Sequence, residues 1–478
     1  GCGPINTGPV WYVGELGNNS SDGSLDTPFL TIQRAVDACT DGDTVRLNTG
    51  SYIESVDFNS KDIVLESRAY ELVDAALIRQ TVITSGAPGG SCIELIGQDA
   101  ANLEIKGITF SGGQSQIGGG IYVENSSPKL TGIIVENNTA EVGGGVYLNQ
   151  SDVELDGVII RNNGANFGGG LYATGSSISL VSVSIDSNIA YWGAGLYSEN
   201  SSSNIENTNI SFNHAFIEGG AIYQNGNNLT ISETAITSNT GLDFGGALVC
   251  YMGIMDLDRC TVAGNIANYG SAFNLREAVV TVSNSIIWEN GENTVYSSSG
   301  SQASMFNLGY TNFYGGENYL SNSPSIILDW GDGNLNTDPL FCNPEENDFA
   351  LQEGSVCLSA SDTFGTIGAF TGNCGQQLSV DQIALPTGFH LHQNYPNPFN
   401  PFTTIKYNVI EPGVVTISIF SLSGRWIVNL VHKHHVIGDY STDWNGQDYL
   451  GKKVSSGVYI YRMKSNEFIR SRKMLLSK

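Results

Sequence analysis

A glycine-rich segment of nearly fixed length returns along the middle of this chain. The stretch "NNGANFGGGLY" begins at Asn162, and close copies begin at Asn137, Ser187 and Phe212. The second residue of each copy is an asparagine, and successive asparagines are 25 or 26 residues apart. Such a repeat is typical of a solenoid, a propeller or another array, because one unit is too small to bury a core. The asparagines are Asn138, Asn163, Asn188, Asn213, Asn239, Asn265 and Asn290.

Aliphatic residues recur at fixed distances from each asparagine. Leu130, Leu155 and Leu180 stand eight residues before it, and Val135 and Ile160 stand three before it. Apolar and polar residues alternate between these positions, which indicates short β-strands. Stacking the units about 4.8 Å apart would pair each strand in parallel with its copies. We predict a right-handed parallel β-helix, and we exclude a propeller, whose blades need roughly 40–45 residues.

The repeated asparagine is expected at a tight turn, where asparagine tolerates left-handed backbone geometry. Its side-chain amide can then bond to the asparagine of the next coil and form a structural ladder. The glycine runs at 118–120, 143–145 and 168–170 supply bends that leave no room for a Cβ atom. They do not indicate a nucleotide-binding loop, because no helix follows them to hold a phosphate.

One tyrosine follows the glycine run in each of five consecutive units. Because it comes directly after an inward aliphatic residue, alternation predicts that it points outward. A self-stacking ladder is one interpretation, and a stripe that contacts sugar rings or a neighbouring subunit is the other. These candidate contact residues are Tyr122, Tyr147, Tyr172, Tyr197 and Tyr223.

Charge is divided unevenly along the chain. Residues 1–385 hold 10 Lys and Arg against 42 Asp and Glu, a net of −32, whereas residues 386–478 hold 11 against 5, a net of +6. This step predicts a domain boundary near residue 385. The acidic part would repel nucleic acid, so no nucleic-acid partner is expected. No apolar run is long enough to span a membrane. The chain starts with Gly1 in place of Met, so we expect that an export signal has been removed.

The cysteine count is even, and no CxxC pair is present, so disulfides are favoured over a zinc site. Cys250 with Cys260 is one predicted pair. Two of Cys342, Cys357 and Cys374 form the other. Buried free thiols are the alternative.

The N-terminal region reads as a short amphipathic helix followed by a first strand. "TIQRAVDACTDGDTVRLNTGSYIE" covers 31–54, and its apolar residues Ile32, Ala35, Val36 and Cys39 share one helical face. The helix is expected to cap the open end of the solenoid, because a raw end would recruit further strands. From Trp11 onward the region resembles bacterial secreted β-helix proteins.

The C-terminal region has alternating strands and turn signals that predict a small antiparallel β-sandwich. It contains "NYPNPFNPFTTIKYNV" from Asn394, "DWNGQDYLGKKVSSGVYIYRM" from Asp443 and "SRKMLLSK" from Ser471. These motifs closely resemble the C-terminal sorting domain of the type IX secretion system, which has an immunoglobulin-like fold. The resemblance implies export across the outer membrane of a Gram-negative bacterium, with the secretion machinery as partner through residues 389–478.

The predicted fold is therefore all-β: a right-handed single-stranded parallel β-helix with about 25 residues per coil, an N-terminal capping helix and a C-terminal β-sandwich. The predicted parts are the cap and first coil at 1–60, the β-helix at 61–374, a linker at 375–388 and the sorting domain at 389–478.

Catalytic residues are hard to find in the repeat region. Lyases that act on polyuronates need clustered cations or Ca²⁺, and the repeat region has few arginines on scattered columns. Two groups of outward acids are weak candidates for paired-carboxylate chemistry, and solubilising surface charge is the other interpretation. They are Asp152, Glu154, Asp156, Asp256 and Asp258.

The stretch "DWGDGNLNTD" at 329–338 places oxygen-bearing side chains at every second residue. It lacks the glycine and the glutamate of an EF-hand loop, so an EF-hand is not predicted. A structural Ca²⁺ bound in this turn is the remaining hypothesis, and no other cofactor is expected. The candidate ligands are Asp332, Asn334, Asn336 and Asp338.

The sequence favours a non-catalytic, structural or adhesive extracellular protein, since rigid stacking with few chemical groups suits a rod. Self-assembly into a fibre by strand addition is part of this hypothesis. The alternative is a carbohydrate-active β-helix enzyme or a module that binds a surface polysaccharide.

Overall fold

A computed structural model describes residues 9–71, 75–97, 103–291, 293–298, 300–320, 325–363, 365–370, 374, 391, 394–409, 413–421, 425–435, 438–465 and 468–477. Contacts divide the chain near residue 385 into a long N-terminal unit and a shorter C-terminal unit. The predicted linker at 375–388 lies outside the described residues.

The long unit is a parallel β-helix whose strands stack in coil order. Sheet A contains Val10–Val13, Thr44–Leu47, Val64–Ser67, Glu104–Lys106, Lys129–Thr131, Asp152–Asp156, Ser177–Val181, Ser202–Glu206, Asn228–Ser232, Ile254–Asp258, Val279–Ser283, Ser304–Gly309 and Ile326–Trp330. Sheet B contains Gly50–Ile53, Thr81–Thr84, Thr109–Ser111, Ile134–Glu136, Ile159–Arg161, Ser184–Asp186, Asn209–Ser211, Ala235–Thr237, Thr261–Ala263, Ile286–Trp288 and Asn312–Phe313. Sheet C contains Ile93–Ile96, Ile121–Glu124, Val146–Asn149, Leu171–Thr174, Leu196–Glu199, Ile222–Asn225, Leu248–Tyr251, Phe273–Arg276 and Val295–Ser297. A smaller sheet D lies between B and C in three successive coils. It contains Ile189–Trp192, His214–Glu218 and Thr240–Gly241.

Equivalent residues of successive coils lie directly above one another. Leu130 pairs with Leu155, and Leu155 pairs with Leu180, all in parallel register. All three side chains are fully buried. Each such leucine contributes about 2 kcal/mol through the apolar surface it removes from water. The predicted parallel β-helix and its stacked aliphatic core are confirmed.

The repeated asparagines form a buried amide ladder. The backbone N–H of Asn163 donates to Asn188 Oδ1 at 3.0 Å, and Asn163 Nδ2 donates to the same oxygen at 3.0 Å and to Val135 O at 2.9 Å. The pattern runs unbroken from Asn138 to Asn290. The left-handed residue of the turn is the preceding one, such as Asn162 (φ 53°), so the expectation that the ladder asparagine itself adopts this geometry is wrong.

Two further ladders form where sheet C leads into sheet A and where sheet A leads into sheet B. In both, a backbone N–H of one coil donates to a side-chain hydroxyl group of the next. Ser151 N–H donates to Ser176 Oγ at 3.1 Å, and Ser176 N–H donates to Ser201 Oγ at 3.0 Å. At the corner between sheets A and B, Thr208 N–H donates to Thr234 Oγ1 at 3.3 Å. These corner amides have no partner in a sheet, so the side chains satisfy buried backbone groups.

Helix α1 (Ile32–Ala38) closes the N-terminal end of the solenoid. Its residues Ile32, Ala35 and Val36 are fully buried in the solenoid core. Glu54 accepts hydrogen bonds from the N–H groups of Ile32 and Gln33 at 2.9 and 3.0 Å, which satisfies the free amides of the first turn. The predicted cap is confirmed.

The outer face of sheet B is covered by other chain segments at two places. Near the N-terminus, helices α2 (Arg68–Glu71) and α3 (Ala75–Ile78) form a cluster with Ile134 and Ile159. Near the C-terminus, Ile286 and Trp288 are covered by a segment that contains the antiparallel strands Phe341–Asn343 and Asp348–Leu351. This segment also includes the 3₁₀ helices Pro344–Glu346 and Val356–Ser359, and a last short helix, α4, spans Glu317–Leu320.

The C-terminal unit consists of antiparallel strands around its own core. Thr403–Val409 pairs with Gly438–Trp444. Trp444, Tyr407, Tyr461 and Phe399 are buried within it. The second sheet has the order Trp426–His435, Gly413–Ser421, Gly457–Ser465 and Phe468–Leu476. The prediction of a small antiparallel β-structure is confirmed.

Cys342 and Cys374 form a disulfide. The predicted Cys250–Cys260 disulfide is wrong. A complete sheet A strand, Ile254–Asp258, separates these two cysteines, so Cys250 lies in sheet C and Cys260 at the opposite end of that strand. Both are buried free thiols, and burial raises the pKa of each to about 12.

We expect Asn188→Ala to lower the free energy of unfolding by about 3 kcal/mol. The substitution leaves two donors of Asn163 without partners in a buried site and removes a side-chain hydrogen bond to the carbonyl of Ile160. Urea denaturation followed by circular dichroism measures the effect. The matched control is Asn166→Ala, an exposed asparagine of the same repeat, which should change stability by less than about 0.5 kcal/mol. Equal effects would contradict the ladder's role.

Cysteine labelling should separate the disulfide from the free thiols. When the protein is denatured without reductant and alkylated, Cys250, Cys260 and Cys357 should carry label, whereas Cys342 and Cys374 should appear in one cross-linked peptide. Mass spectrometry of the digest reads this out, and a reduced sample that labels all five serves as control. A peptide linking Cys250 to Cys260 would contradict the structure.

Candidate functional site

The five candidate tyrosines form a continuous stacked ladder on the outer face of sheet C. Neighbouring ring centroids lie 5.3, 5.4, 5.1 and 4.6 Å apart from Tyr122 to Tyr223, and the rings are parallel within 10°. Each inner ring is therefore covered on both faces by its neighbours. A sugar cannot stack on these faces, and the ladder presents only ring edges and hydroxyl groups to solvent.

The hydroxyl groups of the ladder are tied to carboxylates of the same sheet. Tyr122 Oη donates to Glu124 Oε2 at 2.6 Å, and Tyr172 Oη donates to Glu199 Oε2 at 3.0 Å. Burial raises the pKa of Tyr197 to about 12, with the charge of Glu199 as a further cause. The phenols therefore stay protonated and act as hydrogen-bond donors.

A second aromatic column lies at the corner between sheets D and C. Phe167 stacks on Trp192 with centroids 4.7 Å apart, and Phe244 stacks on Tyr269 at 5.4 Å. Between these pairs, register places Glu218 in the column, next to Trp192 on one side and Phe244 on the other. The 25-residue spacing that separates Phe167 from Trp192 predicts Ile217 at this position of the column. The assignment is wrong because the strand His214–Glu218 contains a bulge with one extra residue.

Glu218 is a half-buried carboxylate in aromatic surroundings. Its Oε2 accepts a hydrogen bond from Tyr251 Oη at 2.8 Å, and Tyr251 Oη in turn accepts one from Asn274 Nδ2 at 3.0 Å. Desolvation raises the pKa of Glu218, Asp243 raises it further, and the bond from Tyr251 opposes the shift. This residue was not identified from the sequence, because its position depends on the bulge.

An exposed apolar patch consists of Ile189, Tyr191 and Phe216 on sheet D, together with Leu242 and Ile266 just outside its strands. Their side chains are 44–59% exposed. The rings of Tyr191 and Phe216 lie 5.5 Å apart at an angle of 48°, so neither covers the other as the ladder rings do. Register places the polar residues His214 and Thr240 between Ile189 and Ile266, so the adjacent rings of Tyr191 and Phe216 are the part of the patch most suited to a ligand.

The ladder, the corner column and the exposed patch adjoin one another on the same coils. The ring of Phe167 meets that of Tyr197 edge-on at 5.7 Å, and the ring of Trp192 lies 5.9 Å from that of Tyr191. We call this combined region the aromatic surface. It joins open ring faces, hydroxyl donors and one half-buried carboxylate, which is the composition of a small-ligand or glycan site.

The first group of candidate acids lies elsewhere, on sheet A. Asp152 is exposed at the start of its strand, and Glu154 Oε1 lies 3.7 Å from Lys129 Nζ of the preceding coil. Asp156 is only 9% exposed, although alternation predicts that it points outward. Alternation ends there because the strand turns toward sheet B at Asp156. The three acids therefore do not converge on one solvent-facing site.

The second group is also on sheet A. Asp256 is exposed, and Asp258 Oδ2 lies 2.9 Å from a guanidinium nitrogen of Arg259. Asp258 Oδ1 accepts hydrogen bonds from Ser283 and Asn284 at 3.0 and 2.8 Å. These contacts link coils together, and catalysis at either group stays a prediction.

The candidate calcium ligands mostly cap backbone amides. Asn334 Oδ1 accepts from Thr311 N–H at 2.9 Å and continues the corner ladder, and Asn336 Oδ1 accepts from Gly315 N–H at 3.1 Å. Asp338 Oδ1 accepts from Leu340 N–H at 2.8 Å. The fourth candidate, Asp332, accepts through its backbone carbonyl from Tyr310 N–H. Within the described ranges, no group of three or more His, Cys, Asp or Glu is placed to hold a metal ion.

Two family models match the chain. Residues 144–308 match the right-handed β-helix region, and residues 393–477 match the secretion system C-terminal sorting domain. The chain is a right-handed β-helix protein with a type IX sorting domain. No curated protein matches the β-helix protein significantly.

Several solved structures are similar to the β-helix protein. The pectate lyase Pel9A has 15% identity and a TM-score of 0.48 over 77% of this chain and 98% of its own. The pectin methylesterase from Aspergillus niger has 11% identity and a TM-score of 0.33 over 69% and 92%. Dimeric latent PorU from Porphyromonas gingivalis has 18% identity and a TM-score of 0.17 over 18% and 9%. At these values none of the three indicates an activity here.

The sorting domain places the β-helix protein outside the cell. It is secreted or held at the surface of a Gram-negative bacterium, and its sorting domain implies interaction with the type IX secretion machinery. Among the described residues, no helix is both long and apolar enough to cross a bilayer.

We expect Glu218→Gln to change how stability depends on pH. The folded state holds the Glu218 proton more tightly than the unfolded state does, because burial raises the pKa above 4.5. Ionisation above that pH therefore destabilises the wild-type fold. The stability of the Gln variant relative to wild type should rise from pH 4 to about pH 7. Urea denaturation at each pH measures it, and a difference that is constant with pH would contradict the assignment.

Proposed function

We propose that the β-helix protein is a secreted or surface-held glycan-binding protein, with a carbohydrate chain lying on the aromatic surface. The observation that carries this proposal is the pair of exposed, tilted rings Tyr191 and Phe216 beside the half-buried carboxylate of Glu218. A sugar ring has an apolar C–H face that packs on an open aromatic ring. Its hydroxyl groups bind carboxylates, amides and phenols such as those along sheet C.

The rod-like geometry supports a chain ligand over a small molecule. Outward side chains of successive coils lie about 4.8 Å apart, so a row of contacts runs along the solenoid axis. On sheet B, other chain segments cover the outer apolar residues Ile134, Ile159, Ile286 and Trp288, so these residues are not open to a ligand.

A carbohydrate-active enzyme is the second candidate function. One observation favours it: Glu218 is a carboxyl group whose pKa is raised by desolvation and by Asp243, and glycoside hydrolysis uses one protonated and one ionised carboxyl group. Release of reducing ends from a polysaccharide, abolished in Glu218→Gln, would support this function.

The fibre hypothesis stays a prediction. Helix α1 covers the first coil, so strand addition at that end would require its displacement. Electron microscopy of concentrated protein tests the idea, and a field of monomers would count against it.

The glycan-binding proposal predicts that Tyr191→Ala combined with Phe216→Ala weakens binding at least about fivefold, since each open ring contributes roughly 0.5–1.5 kcal/mol. Affinity electrophoresis through gels that contain neutral, acidic or amino polysaccharides measures the binding of the full chain. Both rings are exposed, so the circular dichroism spectrum should not change.

Ile254→Ala is the matched control for this test. Ile254 is 44% exposed on sheet A, so the substitution removes a similar exposed apolar group away from the aromatic surface. It should leave glycan affinity unchanged. Failure of the wild-type chain to bind any polysaccharide would overturn the proposal.

A further inference from the structure

The coils around Glu218 contain no cationic side chain apart from histidine. Between Arg161 and Arg259 the sequence has no Lys or Arg, while it has eight acidic residues. A polyanionic ligand would find no counter-charge on these coils, and its approach would be opposed by the net charge of −32 on residues 1–385. The eight acids are Asp186, Glu199, Glu206, Glu218, Glu233, Asp243, Asp256 and Asp258.

Glu218 occupies the place of one ring in the corner column. The pair Phe167 and Trp192 ends on one side of it, and the pair Phe244 and Tyr269 begins on the other. Trp192 and Phe244 are two coils apart, roughly 9.6 Å, and Glu218 stands between them in register in place of a ring. The carboxylate, held by Tyr251 Oη at 2.8 Å, lies at this interruption.

A carboxylate flanked by aromatic rings is suited to a cation. An ammonium group gains from the negative faces of Trp and Phe rings and forms a charge-assisted hydrogen bond with the carboxylate. A uronate carboxylate at the same place would meet Glu218 and Asp243 as like charges. The corner therefore distinguishes sugars by the charge they carry.

We propose that the corner at Glu218 binds the ammonium group of an amino sugar, so the glycan preferred by this protein is a polymer with free amines. This rests on the proposed glycan-binding function and names its ligand class. The sugar ring would lie on the solvent side of Glu218, beside the rings of Trp192 and Phe244, and neighbouring sugar units would extend toward Tyr191 and Phe216. A basic peptide offers similar charge, but its side chains lack the ring hydroxyl groups that the phenols and carboxylates along sheet C would bind.

Isothermal titration calorimetry with the full chain tests the proposal with three oligosaccharides of equal length. They are a fully deacetylated glucosamine oligomer, its N-acetylated counterpart and an oligogalacturonate. We expect the glucosamine oligomer to bind about tenfold more tightly than the N-acetylated one, and the oligogalacturonate to bind most weakly. Glu218→Gln should reduce the advantage of the free amine over the N-acetylated oligomer to less than about twofold, because the charge that distinguishes the two ligands is lost.

Asp256→Asn is the matched control, because it removes the same charge from an exposed site on sheet A. It should preserve the preference for the free amine. Equal effects of the two variants would overturn the proposal, since the preference would then reflect overall charge. An unchanged preference in Glu218→Gln, or tightest binding of the oligogalacturonate, would also overturn it.

Two outcomes separate this inference from the proposed function. If none of the three oligosaccharides binds, the glycan-binding function itself fails. If a lysine oligomer binds as tightly as the glucosamine oligomer and is equally sensitive to Glu218→Gln, the amino-sugar assignment is overturned and a basic peptide takes its place as ligand. Circular dichroism of each variant confirms that the solenoid is intact.

Discussion

In-register stacking of successive coils is the constraint on which the rest of this structure depends. Backbone amides in the strands bond to the coil above and below, and amides at the corners bond to side chains of the next coil instead. The ladder from Asn138 to Asn290 does this inside the protein, where an unmade hydrogen bond would be costly. Because each coil is satisfied only by its neighbours, none of them is stable alone.

Stacking also explains the distribution of charge on sheet A. Lys129 lies beside Glu154 of the next coil, and Arg46 lies beside Glu66. Opposite charges in one row favour the native register. A shifted register that placed like charges directly above one another would be destabilised. The acids that the sequence offers as catalytic candidates therefore belong partly to the contacts that align the coils.

Apolar residues on the outside of the solenoid are treated in two ways. On sheet B, Ile134 and Ile159 are covered by the helical insertion, and Trp288 is covered by the C-terminal segment. On sheet D, Tyr191 and Phe216 stay exposed beside Glu218. The difference matters because covered residues stabilise the fold, whereas exposed rings next to a half-buried carboxylate form a surface suited to a ligand.

The sequence by itself determined the β-helix, the asparagine ladder and the outward tyrosine column, because constant spacing places equivalent residues in one row. It also determined the export domain, whose motifs lie close together along the chain. The tertiary structure decided that Glu218 and not Ile217 enters the aromatic corner, that Asp156 is buried, and that Cys250 and Cys260 stay apart. A repeat fixes a position only while each coil has the same length and alternation continues. Where a coil gains a residue or a strand turns at a corner, backbone hydrogen bonding and packing choose which side chain faces the solvent.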